Sequence, residues 1–488
     1  MSWCLTTRLG LGSTPTLQIP RWAQKFRCEK NSVSGLGLKG ASARIANVVR
    51  NRALRRGAFA VMVVLLLVVI IGMVAYAFDT GWIALTRVQL HAAADSAALA
   101  GGTELMPGLG LNATATPGEV QTLAVAAAVE FAGRNPGGDR DSCYCDGTRD
   151  VIMGTAVFDP DAGQWVKTPG ATPFNFVQAN LHRDQGGSSA GDGRLPLFFA
   201  RIFGIRETPV SGFATAVILP ANGFFIEEGS DDTVGLMPFA FNREMFERYK
   251  RARDYYEANP DVFGDPENLE NIMDPTTDPP EPLFGFMGPQ GGGGGGPATE
   301  FKQLFYDDFT LVDGNVSGPD APDGILEIDI YPHAGAITEE NPGGNFGTVD
   351  LGNTNNSTAD IKRQIENGLN EDDLSYYENN TITMSEEDPL LAEADTGISG
   401  GIEKKLEQII GDCRAIVLFT AVTDESGNNT IYTLVEYLGV AVVQVELGSA
   451  NKILRMQPCD FVDDNAIGDT DEEIGEDTTV FTPLILIE

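Results

Sequence analysis

The chain has 488 residues, 42% of them hydrophobic, and a formal net charge of −36 from 33 basic and 69 acidic residues. Residues 1–78 carry 11 Lys or Arg and one acid, which leaves a net charge of −46 on residues 79–488. Such an acidic surface repels nucleic acid, which excludes nucleic-acid binding, and it favours divalent cations or basic partners.

The chain begins with a basic leader, residues 1–55, that we expect to be disordered in the cytoplasm. The uncharged segment 58–78 (AFAVMVVLLLVVIIGMVAYAF) follows four arginines at residues 50–56. As a helix it reaches about 30 Å, the thickness of a bilayer core. The positive-inside rule then puts the N-terminus in the cytoplasm and the acidic remainder outside. A cleaved signal peptide is the alternative, but its apolar stretch is usually about 7–15 residues long.

An alanine-rich segment without proline before Pro107 predicts that this helix continues outward, so that residues 56–105 form a spanning helix and a stalk. The sequence TPGE at residues 116–119 predicts the start of a second helix, which should end near Gly133. Residues 106–222 should form a first α+β domain. Its predicted elements are strands at 151–158, 174–181 and 210–219 and a short apolar helix at 195–203.

Residues 223–488 should form a second α+β domain, which begins with a helix capped by Asn242. A Pro- and Gly-rich stretch near 259–298 predicts a flexible insertion, and residues 460–477 an acidic tail. Two further helices are expected from apolar residues spaced three or four apart, around Ile361 and Ile402. Strands are predicted at 301–306, 325–331, 346–351, 415–422 and 432–447, and the apolar segment 480–487 could return as a last strand.

The cysteines divide between the two sides of the membrane. Four of them, Cys143, Cys145, Cys413 and Cys459, lie on the expected oxidising side, where disulfides persist. Four cysteines allow three connectivities, which the sequence does not choose among. Cys143 and Cys145 are two residues apart and would close a strained ring. This favours a disulfide between Cys413 and Cys459 instead. A zinc site at Cys143 and Cys145 lacks a second Cys or His pair at suitable spacing.

The sequence DGNVSGPDAPDGILEID, residues 313–329, is the best candidate for cation binding. Its weak calcium candidates are Asp313, Asn315, Asp320 and Asp323. The first residues match an EF-hand loop, but Gly324 stands where the bidentate Glu belongs, so ordinary turns are the favoured interpretation. We predict no cofactor and no metal, and a small-molecule substrate is not favoured.

The sequence GISGG, residues 397–401, fits the elbow that presents a catalytic serine. The preceding residues are acidic rather than typical of a buried strand, and no histidine follows His333. Ser399 is better explained as a helix cap, so we expect the protein not to be an enzyme.

Residues 56–102 read RGAFAVMVVLLLVVIIGMVAYAFDTGWIALTRVQLHAAADSAALAGG. They resemble the N-terminal signature of the TadE/TadG-like Flp pilus-assembly proteins of the bacterial tight-adherence (Tad) system. The downstream segments FVQANLHRD, LPLFFARIFG and TPVSGFATAVIL resemble the following part of TadG-like proteins. The signature residues that the resemblance points to are Arg56, Gly57, Asp79, Gly81, Arg87, Ala94, Asp95, Ala98 and Gly101.

The resemblance implies a single-pass protein of the bacterial inner membrane that assists Flp pilus assembly by helix packing. Its partners would be other Tad machinery or pseudopilin-like proteins. The small residues around Ala94 and Ala98 allow two helices to approach closely, and Asp95 offers a charge to a partner. The alternative is that these alanines pack on the protein's own first domain. The competing function is a membrane-anchored cell-surface binding protein or adhesin, which the large acidic exterior favours.

Overall fold

A computed structural model describes residues 42–264, 266–289, 298–331, 348–352, 357–394, 398–423, 430–448, 452–470 and 474–487. Most of the basic leader, the glycine run 291–296 and the predicted turn near residue 428 lie outside these residues. The chain divides into two compact units, Met1–Met73 and Val74–Glu488. The predicted boundary between a first and a second exterior domain at residue 222 stays a prediction.

The described helices differ greatly in length. They are α1 Ser42–Thr103, α2 Pro117–Gly133, α3 Arg243–Ala258, α4 Thr358–Asn367, α5 Glu371–Leu374 and α6 Glu403–Leu406.

The described strands are mostly short. In chain order they are β1 Val151–Asp159, β2 Gln164–Pro169, β3 Phe176–Arg183, β4 Leu195–Pro196, β5 Glu207–Thr208, β6 Val210–Val217, β7 Ala221–Phe225, β8 Leu236–Asn242, β9 Gly285–Pro289, β10 Ala298–Gln303, β11 Phe305–Tyr306, β12 Thr310–Val312, β13 Asn315–Ser317, β14 Glu327–Tyr331, β15 Thr381–Thr383, β16 Leu390–Ala394, β17 Cys413–Thr423, β18 Thr430–Glu446, β19 Ile453–Pro458, β20 Phe461–Val462, β21 Ala466–Gly468, β22 Val480–Phe481 and β23 Ile485–Ile487.

Helix α1 contains the segment that the sequence predicts to cross a membrane. Among the described residues it provides one candidate span, in Phe59–Thr103. From Phe59 to Phe78 every side chain except Ala75 is exposed, although the stretch is uncharged. A helix that is apolar on every face and is not covered by protein is typical of a lipid environment.

The first large sheet is antiparallel and has the order β2-β1-β3-β6-β23. The C-terminal part of α1 and the whole of α2 pack against it, and alanines from both helices share one hydrophobic core with Val177 and Ala216. Strand β23 pairs with β6, so that Ile485 lies opposite Val217. The predicted return of the final apolar segment as a strand is therefore confirmed, and it completes the first sheet.

The second large sheet has the order β11-β14-β19-β18-β17-β8, and β16 also pairs with β18. Strand β17, which lies between β18 and β8, is buried on both faces. Ile416 and Leu418 belong to the core that includes α3, whereas Val417 and Phe419 belong to a core on the other face. This alternation follows from the two-residue period of a strand. Strand β8 joins β17 in parallel, and β18 joins it antiparallel.

The predicted helix starts at Thr116 and Asn242 are confirmed. Thr116 and Glu119 form a reciprocal capping box at the start of α2. The side chain of Asn242 accepts a hydrogen bond from the Met245 amide at 3.1 Å and caps α3.

Two local expectations are wrong. Residues 195–203 do not form one helix: Leu195 and Pro196 form the short strand β4, and only Ala200–Phe203 make a 3-10 turn, which ends at Gly204 with a φ of 87°. Residues 390–394, which the sequence suggested were too acidic for a strand, form β16. Its acid Glu393 points outward, while Ala392 and Ala394 are buried. Of the predicted strand 346–351, only Thr348 and Val349 make isolated bridges within the described residues.

Candidate functional site

The C-terminal part of α1 is built into the core beside the first sheet. Ala93, Ala94, Ala97 and Ala98 are fully buried there. The same core contains Ala124, Ala128 and Ala132 of α2, so two helices meet through small side chains on both sides. Because alanine adds little width, the two backbones can approach closely.

Two glycines mark the points of closest approach to α1. A Cβ atom on Gly101 would lie 3.0 Å from Val177 Cγ1 and 3.1 Å from the Ala124 carbonyl oxygen. On strand β6, a Cβ on Gly212 would lie 2.7 Å from the His91 amide nitrogen. Any larger residue at either position would push α1 away from its neighbour.

These contacts bear on the two alternatives that the sequence leaves open. The structure packs Ala94 and Ala98 on the protein's own first core, where neither side chain reaches the surface. A second helix therefore cannot contact them without displacing α2 or the sheet.

A different face of α1 remains uncovered. Gly81, Ala84, Leu85, Val88 and Ala92 are exposed and recur at intervals of three or four residues, which places them along one side of the helix. A Cβ on Gly81 would meet nothing within 4 Å. We call this set the exposed stripe. It is the part of the signature that could contact another helix.

Four other signature residues lie near or before this face. Arg87 is exposed, and Asp95 is partly exposed at the border of the buried alanines. Arg56 and Gly57 lie within α1, where the described side chains begin only at Phe59.

Asp79, the first charge after the apolar segment, is buried and holds a distant loop. Its carboxylate oxygens accept hydrogen bonds from the amides of Phe198 at 2.9 Å, Phe199 at 3.1 Å and Ala200 at 2.7 Å. Three consecutive amides that converge on one carboxylate fix the loop at the level of Asp79, and charge-assisted bonds of this kind are among the stronger ones.

The loop that Asp79 holds carries apolar side chains that face outward. The structure exposes Phe198, Phe199, Ile202, Phe203 and Ile205, with Ile202 79% and Phe203 78% accessible. We call residues 197–206 the apolar loop. Sequence analysis missed it as a surface, because the run LPLFFARIFG has the composition of a buried helix. The sequence signal that could have indicated an exposed surface was the density of aromatic residues next to three arginines.

The four calcium candidates are not gathered around a common point. Asp313 and Gly314, with φ of 48° and 75°, form the two-residue turn between β12 and β13. Asn315 donates to the carbonyl oxygens of Val312 and Asp313.

The other two candidates behave differently. Asp320 lies in the exposed loop after β13. The Asp323 carboxylate accepts from the amides of Leu311 and Ile325 and from the Gln457 side chain. Within the described part of the chain, no group of three or more His, Cys, Asp or Glu side chains could hold a metal ion.

The exterior cysteines have two different environments. The structure contains a disulfide between Cys413 and Cys459. Cys143 and Cys145 are free and buried. Burial raises the pKa of the Cys143 thiol to about 11 and that of the Cys145 thiol to about 12. Both therefore stay protonated and unreactive near neutral pH.

Ser399, from the sequence that resembles a catalytic elbow, has a structural partner. Its hydroxyl oxygen accepts a hydrogen bond from the Gly401 amide at 3.2 Å and caps the turn that begins α6. This is the role that the sequence favoured for it.

Family models match most of α1, all of α2 and the strands of the first sheet other than β23. Residues 57–104 match the putative Flp pilus-assembly TadE/G-like family. Residues 85–216 match the putative Tad-like Flp pilus-assembly family. The two matches together extend from the apolar segment to β6. Among the curated proteins and among the solved structures, none matches the chain.

Proposed function

We propose that this chain, whose residues 57–104 match the TadE/G-like and residues 85–216 the Tad-like Flp pilus-assembly family, is a membrane-anchored, TadG-like assembly protein of a Tad pilus. Its N-terminus would lie in the cytoplasm of a bacterial cell and the exterior unit beyond the inner membrane. The basic leader before the span and the acidic surface after it support this orientation.

One observation carries the proposal. The family signature coincides with a single continuous helix whose apolar half is exposed and whose alanine-rich half is the centre of a folded core. The apolar segment would serve as the membrane anchor, and the alanine-rich segment would anchor the helix in the first core.

The proposed mode of action is contact with other proteins, without a catalytic step. The exposed stripe would pack against a helix of a pseudopilin-like or other Tad partner, because its residues are small or apolar and none of the side chains that the structure describes covers them. The capping role of Ser399 supports a non-catalytic function.

Replacement of Gly81 by Leu tests this mode. The side chain would extend into open space, so we expect the full-length variant to insert in the membrane and unfold at the same temperature as the wild type. The variant should nevertheless reduce the number of pili at least tenfold, because the added side chain would keep a partner helix from packing closely on the exposed stripe. The matched control is Leu123→Ala, which changes an exposed side chain on α2 outside the stripe. Normal piliation with Gly81→Leu would reject the stripe as a contact surface.

Deletion of the whole chain separates the two candidate functions. Loss of pili would support an assembly role, with electron microscopy of the cell surface as the measurement. Intact pili with lost attachment to surfaces would favour the adhesin instead.

A further inference from the structure

The apolar loop combines features that neither the core nor the exposed stripe explains. Five of its ten residues are large apolar side chains that face outward: Phe198, Phe199, Ile202, Phe203 and Ile205. Soluble proteins rarely leave such a contiguous apolar patch uncovered, and patches of this kind usually mark a contact with protein or membrane.

Hydrogen bonds hold the backbone of the apolar loop at its base and at its tip. Strands β4 and β5 pair at its base, and the Leu197 amide donates to the Arg206 carbonyl oxygen at 3.0 Å. At its tip, the amides of Ile202 and Ile205 donate to the Phe199 and Ala200 carbonyl oxygens. The patch is therefore a formed surface, since hydrogen bonds within the loop and to Asp79 hold its backbone.

The position of the loop along α1 identifies what it faces. Asp79, which binds the loop amides, directly follows the last residue of the uncharged segment, Phe78. The Phe78 ring lies 5.7 Å from the Phe198 ring and 5.8 Å from the Phe199 ring, centroid to centroid. Trp82, one turn further out, lies 5.6 Å from Phe198. This aromatic cluster is at the level where a helix that spans the bilayer leaves the hydrocarbon, a level at which proteins concentrate aromatic side chains.

The charge of the loop complements a lipid surface. Residues 194–206 contain three arginines and no acid, although residues 79–488 carry a net charge of −46. Arg201 and Arg206 are exposed on either side of Phe203. Arginines that flank apolar residues can reach lipid phosphates while the apolar side chains enter the acyl boundary. The rest of the exterior, which is acidic, would be repelled by the same headgroups.

We propose that the apolar loop docks on the bilayer surface from which α1 emerges. Phe198, Phe199, Ile202 and Phe203 would enter the boundary between headgroups and acyl chains, and Arg201 and Arg206 would bind the phosphates of anionic phospholipids. This inference rests on the proposed function, because it needs segment 58–78 to span the membrane. The loop gives the exterior unit a second contact with the lipid, which limits its rotation about the helix axis.

Depth-dependent fluorescence quenching tests this docking in the full-length chain. An Ile202→Cys variant is labelled with an environment-sensitive dye, in a background with Cys4→Ser and Cys28→Ser. The parent without an added cysteine measures labelling of the buried Cys143 and Cys145. The protein is reconstituted in phosphatidylethanolamine and phosphatidylglycerol vesicles that contain a lipid with a nitroxide near the headgroup.

The matched control places the same dye at Leu123 of α2, an exposed apolar position. Its neighbour Ala124 contacts α1 at Gly101, which is about 33 Å along the helix from Asp79. We expect the nitroxide lipid to quench the Ile202 dye at least threefold more than the Leu123 dye. Vesicles in which phosphatidylcholine replaces phosphatidylglycerol should reduce the difference at least twofold, and an unchanged difference would overturn the role of the arginines.

A third dye at Val68 separates this inference from the anchor itself. Quenching at Val68 by a nitroxide deep in the acyl chains, with equal quenching at Ile202 and Leu123, would reject the docked loop and leave the anchor standing. No quenching at Val68 would reject the anchor and the docked loop together. Protection of the Ile202 dye from both the nitroxide lipid and aqueous iodide would also overturn the inference, because it would show a protein in place of lipid.

Discussion

At the scale of single residues, side-chain volume decides whether α1 can pack on the first sheet. Ala94 is fully buried, whereas Ala92, two residues earlier on the same helix, is exposed. Leucine at position 94 would force the surrounding core apart. We expect Ala94→Leu to lower the free energy of unfolding by about 1–3 kcal/mol.

Ala92→Leu is the control for this prediction, because the same change on the exposed face should alter the free energy of unfolding by less than about 0.5 kcal/mol. Thermal unfolding followed by circular dichroism in detergent measures both variants. Equal stability of the two would show that Ala94 is not confined as described.

One carboxyl group should make stability depend on pH. Burial raises the pKa of Asp460 to about 7, and a weak hydrogen bond from Asn112 lowers that pKa only in part. The pKa of this group in the unfolded chain is about 4. The stability that protonated Asp460 contributes is therefore fully present below about pH 4 and is lost as the pH rises towards 7. Asp460→Asn keeps the shape and cannot ionise. The variant should match the wild type at pH 4 and be more stable at pH 8 by about 1–3 kcal/mol.

Denaturant titrations at the two pH values measure this effect. Part of the pH dependence should persist in the variant, because burial also raises the pKa of Glu327 to about 7. A variant no more stable than the wild type at pH 8 would contradict the assignment to Asp460.

At the scale of elements, the sequence predicted what local chemistry determines. The starts of α2 and α3 were predictable because Thr116 and Asn242 cap them through neighbours three residues away. The apolar loop was misjudged because its composition suits a helix, whereas Pro196 and Gly204 confine the actual turn to four residues. Strand β16 was missed because its buried side chains are two alanines, which carry little strand signal.

The last strand offers a test at this scale. Leu484 lies against α1, where a Cβ on Gly102 would come within 2.7 Å of its Cδ2 atom, and β23 pairs with β6. Deletion of residues 484–488 should lower the free energy of unfolding by about 2 kcal/mol, because α1 and β6 both lose a neighbour.

Limited proteolysis around residues 210–217 should then become faster than in the full-length chain. Cleavage around residues 413–423, in the second large sheet, serves as the control and should change little. Equal cleavage of β6 in both proteins would show that β23 is dispensable.

At the scale of the whole molecule, the pairs that organise the chain are far apart in sequence, which no local pattern reveals. Strand β8 pairs with β17 across more than 170 residues of sequence, and β23 pairs with β6 across more than 260. The signature itself was recognisable from residues 56–102. The sequence did not reveal which face of the signature helix is buried and which is exposed, because alanine suits either a protein core or contact with a partner helix.

The pairing of β23 with β6 also constrains the order of events during synthesis. If the chain is exported from α1 onward, the first sheet has an open edge at β6 until residues 485–487 have arrived. Open strand edges pair readily with foreign strands. Nascent chains at one export site would therefore risk exchanging their last strands, and a chaperone that shields β6 would suppress such swapping.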